Sequence, residues 1–196
     1  VTIYDVGEVE GVYYIAMRYI EGENLGQLLR REGPLPPARA LGVLEQVAEA
    51  LDFAHSRTVL HRDIKPANVI LRPDGAPALV DFGAVRTVFR TAQEGGSTVV
   101  GTFGYMPFEQ YMGQASPASD LYALGATLLH VVTGRGPADF ATGDGVVEVP
   151  ADLPGGPVLR GVLARLLAAS ASARYQSARE VRDALLAPAV GATEAP

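Results

Sequence analysis

His61-Arg62-Asp63-Ile64-Lys65-Pro66-Ala67-Asn68, followed after one hairpin's worth of residues by Asp81-Phe82-Gly83, is the stretch that decides the fold. Phosphoryl transfer from a nucleotide needs a carboxylate to orient the attacking hydroxyl, a cation near the transferred phosphate, and two oxygen ligands on separate loops for magnesium. Asp63, Lys65, Asn68 and Asp81 supply those four parts. Lys65 is also the only lysine of the 196 residues. Arg72-Pro73-Asp74-Gly75 is a strong turn signal between Val69–Leu71 and Ala78–Val80, so it predicts a small hairpin with Asn68 and Asp81 at its two ends. Both oxygen ligands then lie at one mouth.

Upstream, residues 1–6 and 12–18 alternate like strands joined by a turn through Gly7 to Gly11. The alternation is already under way at Val1, which leads us to expect a chain that begins inside a domain with a bare sheet edge. Asn24–Arg31 reads as a short helix closed by Gly33-Pro34. Pro36-Pro37 starts a long one whose Leu41, Leu44, Val47, Ala48, Leu51 and Ala54 recur at helical spacing. Further helices are expected over Ala118–Thr133, Pro157–Ala169 and Ala178–Leu186. Leu121–Thr133 is the most apolar run; His130 interrupts it and it is too short to cross a bilayer, so it predicts a buried helix. Residues 84–100 are polar and Gly-rich without a period, the pattern of a mobile loop, and residues 134–156 suggest no more than a short helix.

Composition sets the outer limits. With 48% hydrophobic and 19% charged residues the chain can build a real core. It has no cysteine, which excludes a disulfide framework and a thiolate metal site and makes a reducing cytoplasm the simplest setting. A net charge of −6 argues against a nucleic-acid partner, and the fifteen arginines to one lysine read as the mark of a GC-rich genome. No secretory signal and no membrane segment is visible. His55 and His130 read as satisfied or half-buried helix histidines rather than metal ligands.

The two motifs, in this order and spacing, resemble the serine/threonine protein kinase family, and in particular its bacterial members. Further matches are independent of them: Gly101-Thr102, then Tyr105-Met106-Pro107-Phe108-Glu109-Gln110, then Ser119-Asp120-Leu121-Tyr122-Ala123-Leu124-Gly125. The resemblance implies a protein kinase-like α+β fold: a mainly helical C-lobe with a small catalytic hairpin, preceded by two strands of an incomplete N-lobe sheet. Residues 1–17 would be the N-lobe remnant, 18–22 the hinge and 23–188 the C-lobe, with a catalytic loop at 61–68, an activation segment at 81–109 and a flexible tail at 189–196.

Roles follow from the same resemblance, position by position. Asp63 would orient the substrate hydroxyl and Lys65 would stabilise charge on the transferred phosphate, while Asn68 and Asp81 would hold magnesium, or manganese, with ATP. Lys65 two residues after Asp63 is similar to the serine/threonine rather than the tyrosine pattern. Thr102 would position substrate through Asp63 and Lys65. Met17 falls at the gatekeeper, Tyr19 and Ile20 in the hinge that meets adenine, Asn24 at a ribose contact and Ile70 beneath the adenine. His61, Arg62, Phe82, Gly83, Glu109, Asp120 and Arg174 would be structural: Asp120 anchoring the catalytic loop, Glu109 and Arg174 forming a buried ion pair. Phosphate on Thr91, Ser97 or Thr98 would pair with Arg62. The alternative for Thr91, Ser97 and Thr98, as for Thr87, is that they are solvated loop residues. One position departs from the family pattern: Phe108 stands where a proline is usual, which frees a backbone angle and adds bulk.

The implied function is transfer of the ATP γ-phosphoryl to Ser or Thr of protein substrates in signalling, with activation by trans-autophosphorylation in a dimer. The alternative is a non-catalytic pseudokinase or scaffold, because the lysine that clamps the nucleotide phosphates in the family is missing from residues 1–196. Residues 1–196 by themselves are therefore expected to be inactive. Asp-Phe-Gly and the long segment after it disfavour a small-molecule phosphotransferase.

Overall fold

The computed structural model describes residues 1–82, 102 and 104–186. Gly83, Thr87, Thr91, Ser97, Thr98 and the expected tail lie outside the described residues. The chain opens with an antiparallel hairpin, β1 (Ile3–Val9) and β2 (Val12–Met17). Its turn consists of Glu10 and Gly11 at φ 52° and 78°. Two left-handed residues match the right-handed twist of the strands, so the ladder runs further into the turn than the alternation suggested and Gly7 pairs with Tyr14. Tyr4, Val9 and Val12 on this hairpin face solvent.

A second sheet, order β3 (Glu23–Asn24), β4 (Val69–Leu71), β5 (Pro77–Leu79), is antiparallel throughout. The β4–β5 turn is closed by Gly75 N–H to the Arg72 carbonyl at 2.8 Å and by Ala76 N–H to the Asp74 carboxylate at 2.9 Å. Strand β3, only two residues long, gave no periodic signal. What seats it is Gly22, at φ 147°, where a Cβ would stand 2.2 Å from the Leu71 carbonyl oxygen. Glycine alone lets the two backbones approach so closely.

The rest is helical: α1 (Leu25–Glu32), α2 (Pro37–His55), α3 (Phe108–Tyr111), α4 (Pro117–Thr133), α5 (Gly156–Leu166) and α6 (Ala178–Leu186). Short 3-10 turns occupy Pro66–Asn68, Pro137–Phe140 and Ala171–Ala173. Helix α1 begins at a reciprocal cap, Gln27 N–H to Asn24 Oδ1 at 2.8 Å and Asn24 N–H to Gln27 Oε1 at 3.0 Å. The apolar stripe of α2 is buried through Ala40, Val43, Leu44, Val47, Ala48 and Leu51. Helix α4 packs between α2 and α5, and every residue from Ala118 to Val132 except His130 is buried. A helix buried on all sides belongs in the middle of a core, and α4 is the axis on which the other helices rest. Among the described residues no helix is long and apolar enough to cross a membrane.

One buried ion pair ties α3 to the end of α5. Arg174 is 1% exposed and grips Glu109 through two bonds, Nη1 to Oε1 at 2.6 Å and Nη2 to Oε2 at 3.2 Å. Its remaining donors go to the carbonyls of Ala168, Ala118 and Ala169 at 2.7, 3.2 and 3.0 Å. Those bonds explain why α5 stops at Leu166 and not at Ala169: the carbonyls of Ala168 and Ala169 are turned to the guanidinium. Ser119 adds a bond to Glu109 Oε1 at 2.8 Å.

Two outcomes follow. Substituting one partner of a buried pair strands the other's charge, so Arg174→Ala should lower unfolding free energy by about 3–5 kcal/mol in urea denaturation, and adding Glu109→Ala should cost far less than its separate effect. Burial raises the Glu109 carboxyl, but the bonds from Arg174 and Ser119 outweigh it and leave the group below its ordinary value. A depressed folded value means stability present above the unfolded carboxylate pKa, about 4.3, and lost as pH falls through the folded one. Glu109→Gln should flatten that acid limb. The second outcome concerns Gly125, where a Cβ would lie 2.7 Å from Leu166 Cβ. Gly125→Ala should lower stability by about 1–3 kcal/mol despite alanine's better helix propensity, and an unchanged melting temperature would show that α4 and α5 can separate freely.

Candidate active site

The catalytic-loop stretch takes its shape from one carboxylate. Asp120, 1% exposed in the first turn of α4, accepts the backbone N–H of His61 at 2.9 Å and of Arg62 at 2.8 Å. His55, at the end of α2, reaches the same carboxylate at 2.8 Å. Arg62 sits at φ 67°, a strained region for a non-glycine residue. Its carbonyl accepts the Gln110 side chain at 2.7 Å, so both backbone groups of this residue are pinned.

His61 is fully buried and its two ring nitrogens are spoken for. Nδ1 accepts the Asp63 N–H at 3.2 Å, which leaves Nε2–H to donate to the Val80 carbonyl at 2.9 Å. This pairing defines one neutral tautomer. Burial holds the ring's pKa down although Asp120 pushes it up, so His61 is an anchor and not a proton carrier at neutral pH. Through Val80 it also fixes the residue that joins β5 to Asp81. The Phe82 ring lies 4.5 Å from the His61 ring.

Asp63, 5% exposed, gathers the reactive groups. Lys65 Nζ donates to both carboxylate oxygens at 3.1 and 2.8 Å and to Thr102 Oγ1 at 2.8 Å. Thr102 Oγ1 in turn donates to Asp63 Oδ1 at 3.0 Å. The structure thus brings together Asp63, Lys65 and Thr102 from stretches 37 and 39 residues apart. Asn68 donates its amide N–H groups to the Asp63 carbonyl at 2.7 Å and carboxylate at 3.1 Å. Its side-chain oxygen takes part in neither bond.

At the mouth, Val80 N–H bonds the Asn68 carbonyl at 2.9 Å, so Asp81 is one residue past the ladder partner of Asn68. Asp81 is exposed, with φ 62°. A carboxylate and a carboxamide oxygen at one opening suit magnesium, which takes few protein ligands and completes its shell with water and phosphate. Among the described residues no cluster of three or more His, Asp or Glu offers a metal cage of its own.

The stretch after β2, expected to be the hinge, is held by Arg18 N–H to the Thr2 carbonyl at 2.8 Å. Met17 and Ile20 are half-buried, whereas the Tyr19 side chain is 83% exposed, so only its backbone can face a cleft. Asn24 pairs with Ile70 across β3 and β4, but its oxygen caps α1, leaving the amide N–H groups for any ligand.

Several contributors gave no readable signal in the sequence. His55 is a satisfied helix histidine, but its partner, Asp120, lies 65 positions away, and Gln110 supports Arg62. Tyr105 makes a short hydrogen bond to His130 Nδ1, tying the stretch after Thr102 to α4. Burial pushes the Tyr105 phenol up to about 12 and the His130 ring down, although Asp139 pulls the ring the other way. A neutral phenol therefore donates to a neutral imidazole.

The chain is similar to known proteins over most of its length. A model of the protein kinase domain matches residues 1–152. Serine/threonine-protein kinase PknA of Nostoc sp. is 36% identical over 193 residues, covering 94% of this chain and 34% of its own length. PrkC of Bacillus subtilis is 40% identical over 140 residues, covering 71% of this chain and 22% of its own, and PknB of Mycolicibacterium smegmatis is 34% identical over 208 residues, with 95% and 32% covered. The chain spans about a third of the length of these relatives, or less. With Asp63, Lys65, Thr102 and Asn68 gathered at one point and the family model matched over residues 1–152, the chain belongs to the protein kinase domain family.

Proposed function

We propose that this chain carries the catalytic loop of a serine/threonine protein kinase, which moves the γ-phosphoryl of ATP to Ser or Thr hydroxyls of protein substrates. The observation that supports it best is the closed set of bonds among Asp63, Lys65, Thr102 and Asn68. A non-catalytic scaffold has no use for such a set, and no feature of the site favours that reading. The proposed division is an N-lobe remnant at 1–17, a hinge at 18–22 and a C-lobe at 23–188.

In this reading Asp63 takes the substrate hydroxyl by hydrogen bond and aims its oxygen at the phosphorus, an orientation that Asn68 and Thr102 hold by fixing the carboxylate. Lys65 sits against that carboxylate and places its positive charge where the transferred group gains negative charge. Magnesium or manganese at Asn68 and Asp81 supplies neutralisation of the nucleotide phosphates. Met17, Tyr19, Ile20, Asn24 and Ile70 are the proposed lining for the nucleoside.

Regulation belongs to the same proposal. Arg62 Nε is buried without a hydrogen-bond partner among the described residues. A phosphate on Thr91, Ser97 or Thr98, added by a second copy of the kinase, would satisfy it.

The test uses a protein that contains the whole kinase domain. Asp63→Asn should lower kcat about 10²–10⁴-fold with nucleotide affinity nearly unchanged, because the carboxylate acts on the hydroxyl. Asp81→Asn should also weaken magnesium-dependent nucleotide binding by calorimetry. Ordinary turnover in Asp63→Asn would end the kinase reading.

A further inference from the structure

A cavity of about 580 Å³ lies between the Gly104–Tyr111 stretch, α4 and the loop after the Pro137–Phe140 turn, and it takes no part in the phosphoryl-transfer chemistry. Its volume is that of a site for a small organic molecule. Met106, Pro107, Val147 and Leu167 make its walls apolar. Tyr122 lines it too: the residue is 7% exposed, and its hydroxyl makes no hydrogen bond among the described residues. A hydroxyl at the wall of an apolar cavity is one of the few polar groups that can orient an occupant.

The charges at the cavity determine what that occupant is. Arg174 also lines it, with its guanidinium carbon 4.8 Å from the Tyr122 ring centroid. All five guanidinium N–H donors are already committed, to Glu109 and to the carbonyls of Ala168, Ala118 and Ala169. Among the described residues the cavity therefore offers no free cation to a phosphate or a carboxylate. Its exposed lining residue Asp144 is anionic: a hydrogen bond from the Thr142 hydroxyl, followed by one from the Val146 N–H, holds its carboxyl below the usual range. Phe108 and Tyr111, 74% and 56% exposed, add aromatic faces suited to a cation. The phenylalanine that departs from the family pattern is thus one of the lining residues.

We propose that this cavity binds small aromatic amines: a flat ring enters between Met106 and Leu167, a polar ring atom meets the Tyr122 hydroxyl, and the ammonium group faces Asp144. Anionic molecules of the same shape are rejected.

Tryptamine and indole-3-acetate share a ring and carry opposite charges, so they are the probes. The chain has three methionines, Met17, Met106 and Met112, and methyl-labelled methionine gives a separate NMR signal for each. Tryptamine should shift Met106 saturably and leave Met17 unmoved, while indole-3-acetate binds at least about tenfold more weakly. Tyr122→Phe should weaken tryptamine about fivefold to tenfold. Asp144→Asn, at an exposed position that leaves the core intact, should abolish the preference between the two probes. The proposal is overturned if tryptamine leaves Met106 unmoved, if it shifts Met17 instead, if both probes bind alike, or if Asp144→Asn keeps the preference. The kinase reading is tested separately by nucleotide, whose proposed site includes Met17 and not Met106.

Discussion

The loop from His61 to Asn68 holds its shape because the Asp120 carboxylate is buried with its donors around it. The N–H groups of His61 and Arg62 and the His55 ring converge on two oxygens that water barely reaches. A buried charge is tolerable only when its hydrogen bonds are complete, and here completing them dictates the backbone path of the loop. The left-handed Arg62, which costs on the order of 1–3 kcal/mol taken alone, persists because Asp120 and Gln110 hold the peptide groups on either side of it. Two short side chains set the strain, and the aim of Asp63 follows from it.

Helix α4 serves as a common reference for everything else at the site. Its first turn holds the catalytic loop through Asp120, and Ser119 and Arg174 hold Glu109 against the same turn. Farther along, His130 receives Tyr105, three residues beyond the Thr102 that bonds Lys65 and Asp63. The two halves of the site come from distant stretches, but both are measured from one rigid rod. This explains why a helix with no reactive side chain of its own is buried on all sides: play in α4 would become play between Asp63 and Thr102.

Local rules made much of this legible. The spacing of Leu44, Val47 and Leu51 gave α2, Arg72-Pro73-Asp74-Gly75 gave the hairpin, and Asp63, Lys65, Asn68 and Asp81 stood out because each residue type is demanded by the chemistry. What stayed hidden depends on partners distant in the chain. A histidine at a helix end carries no mark of an aspartate 65 residues later, and the pairing of Tyr105 with His130 is equally silent. Strand β3 escaped because two residues cannot show a period, and its cause lies in Gly22 meeting a carbonyl from β4. The cavity beside Tyr122 is a property of packed shapes, which no periodicity records.

The solitary Lys65 also makes this polypeptide unusual as a chemical object. Any reagent that acylates side-chain amines has one target in the sequence, and that target is the amine bonded to Asp63 and Thr102. With the side chain only 20% exposed, the rate of labelling becomes a clock for how often that triangle of bonds opens. Residues 1–196 thereby carry a reporter of how firmly Lys65, Asp63 and Thr102 hold together, with no need to install one.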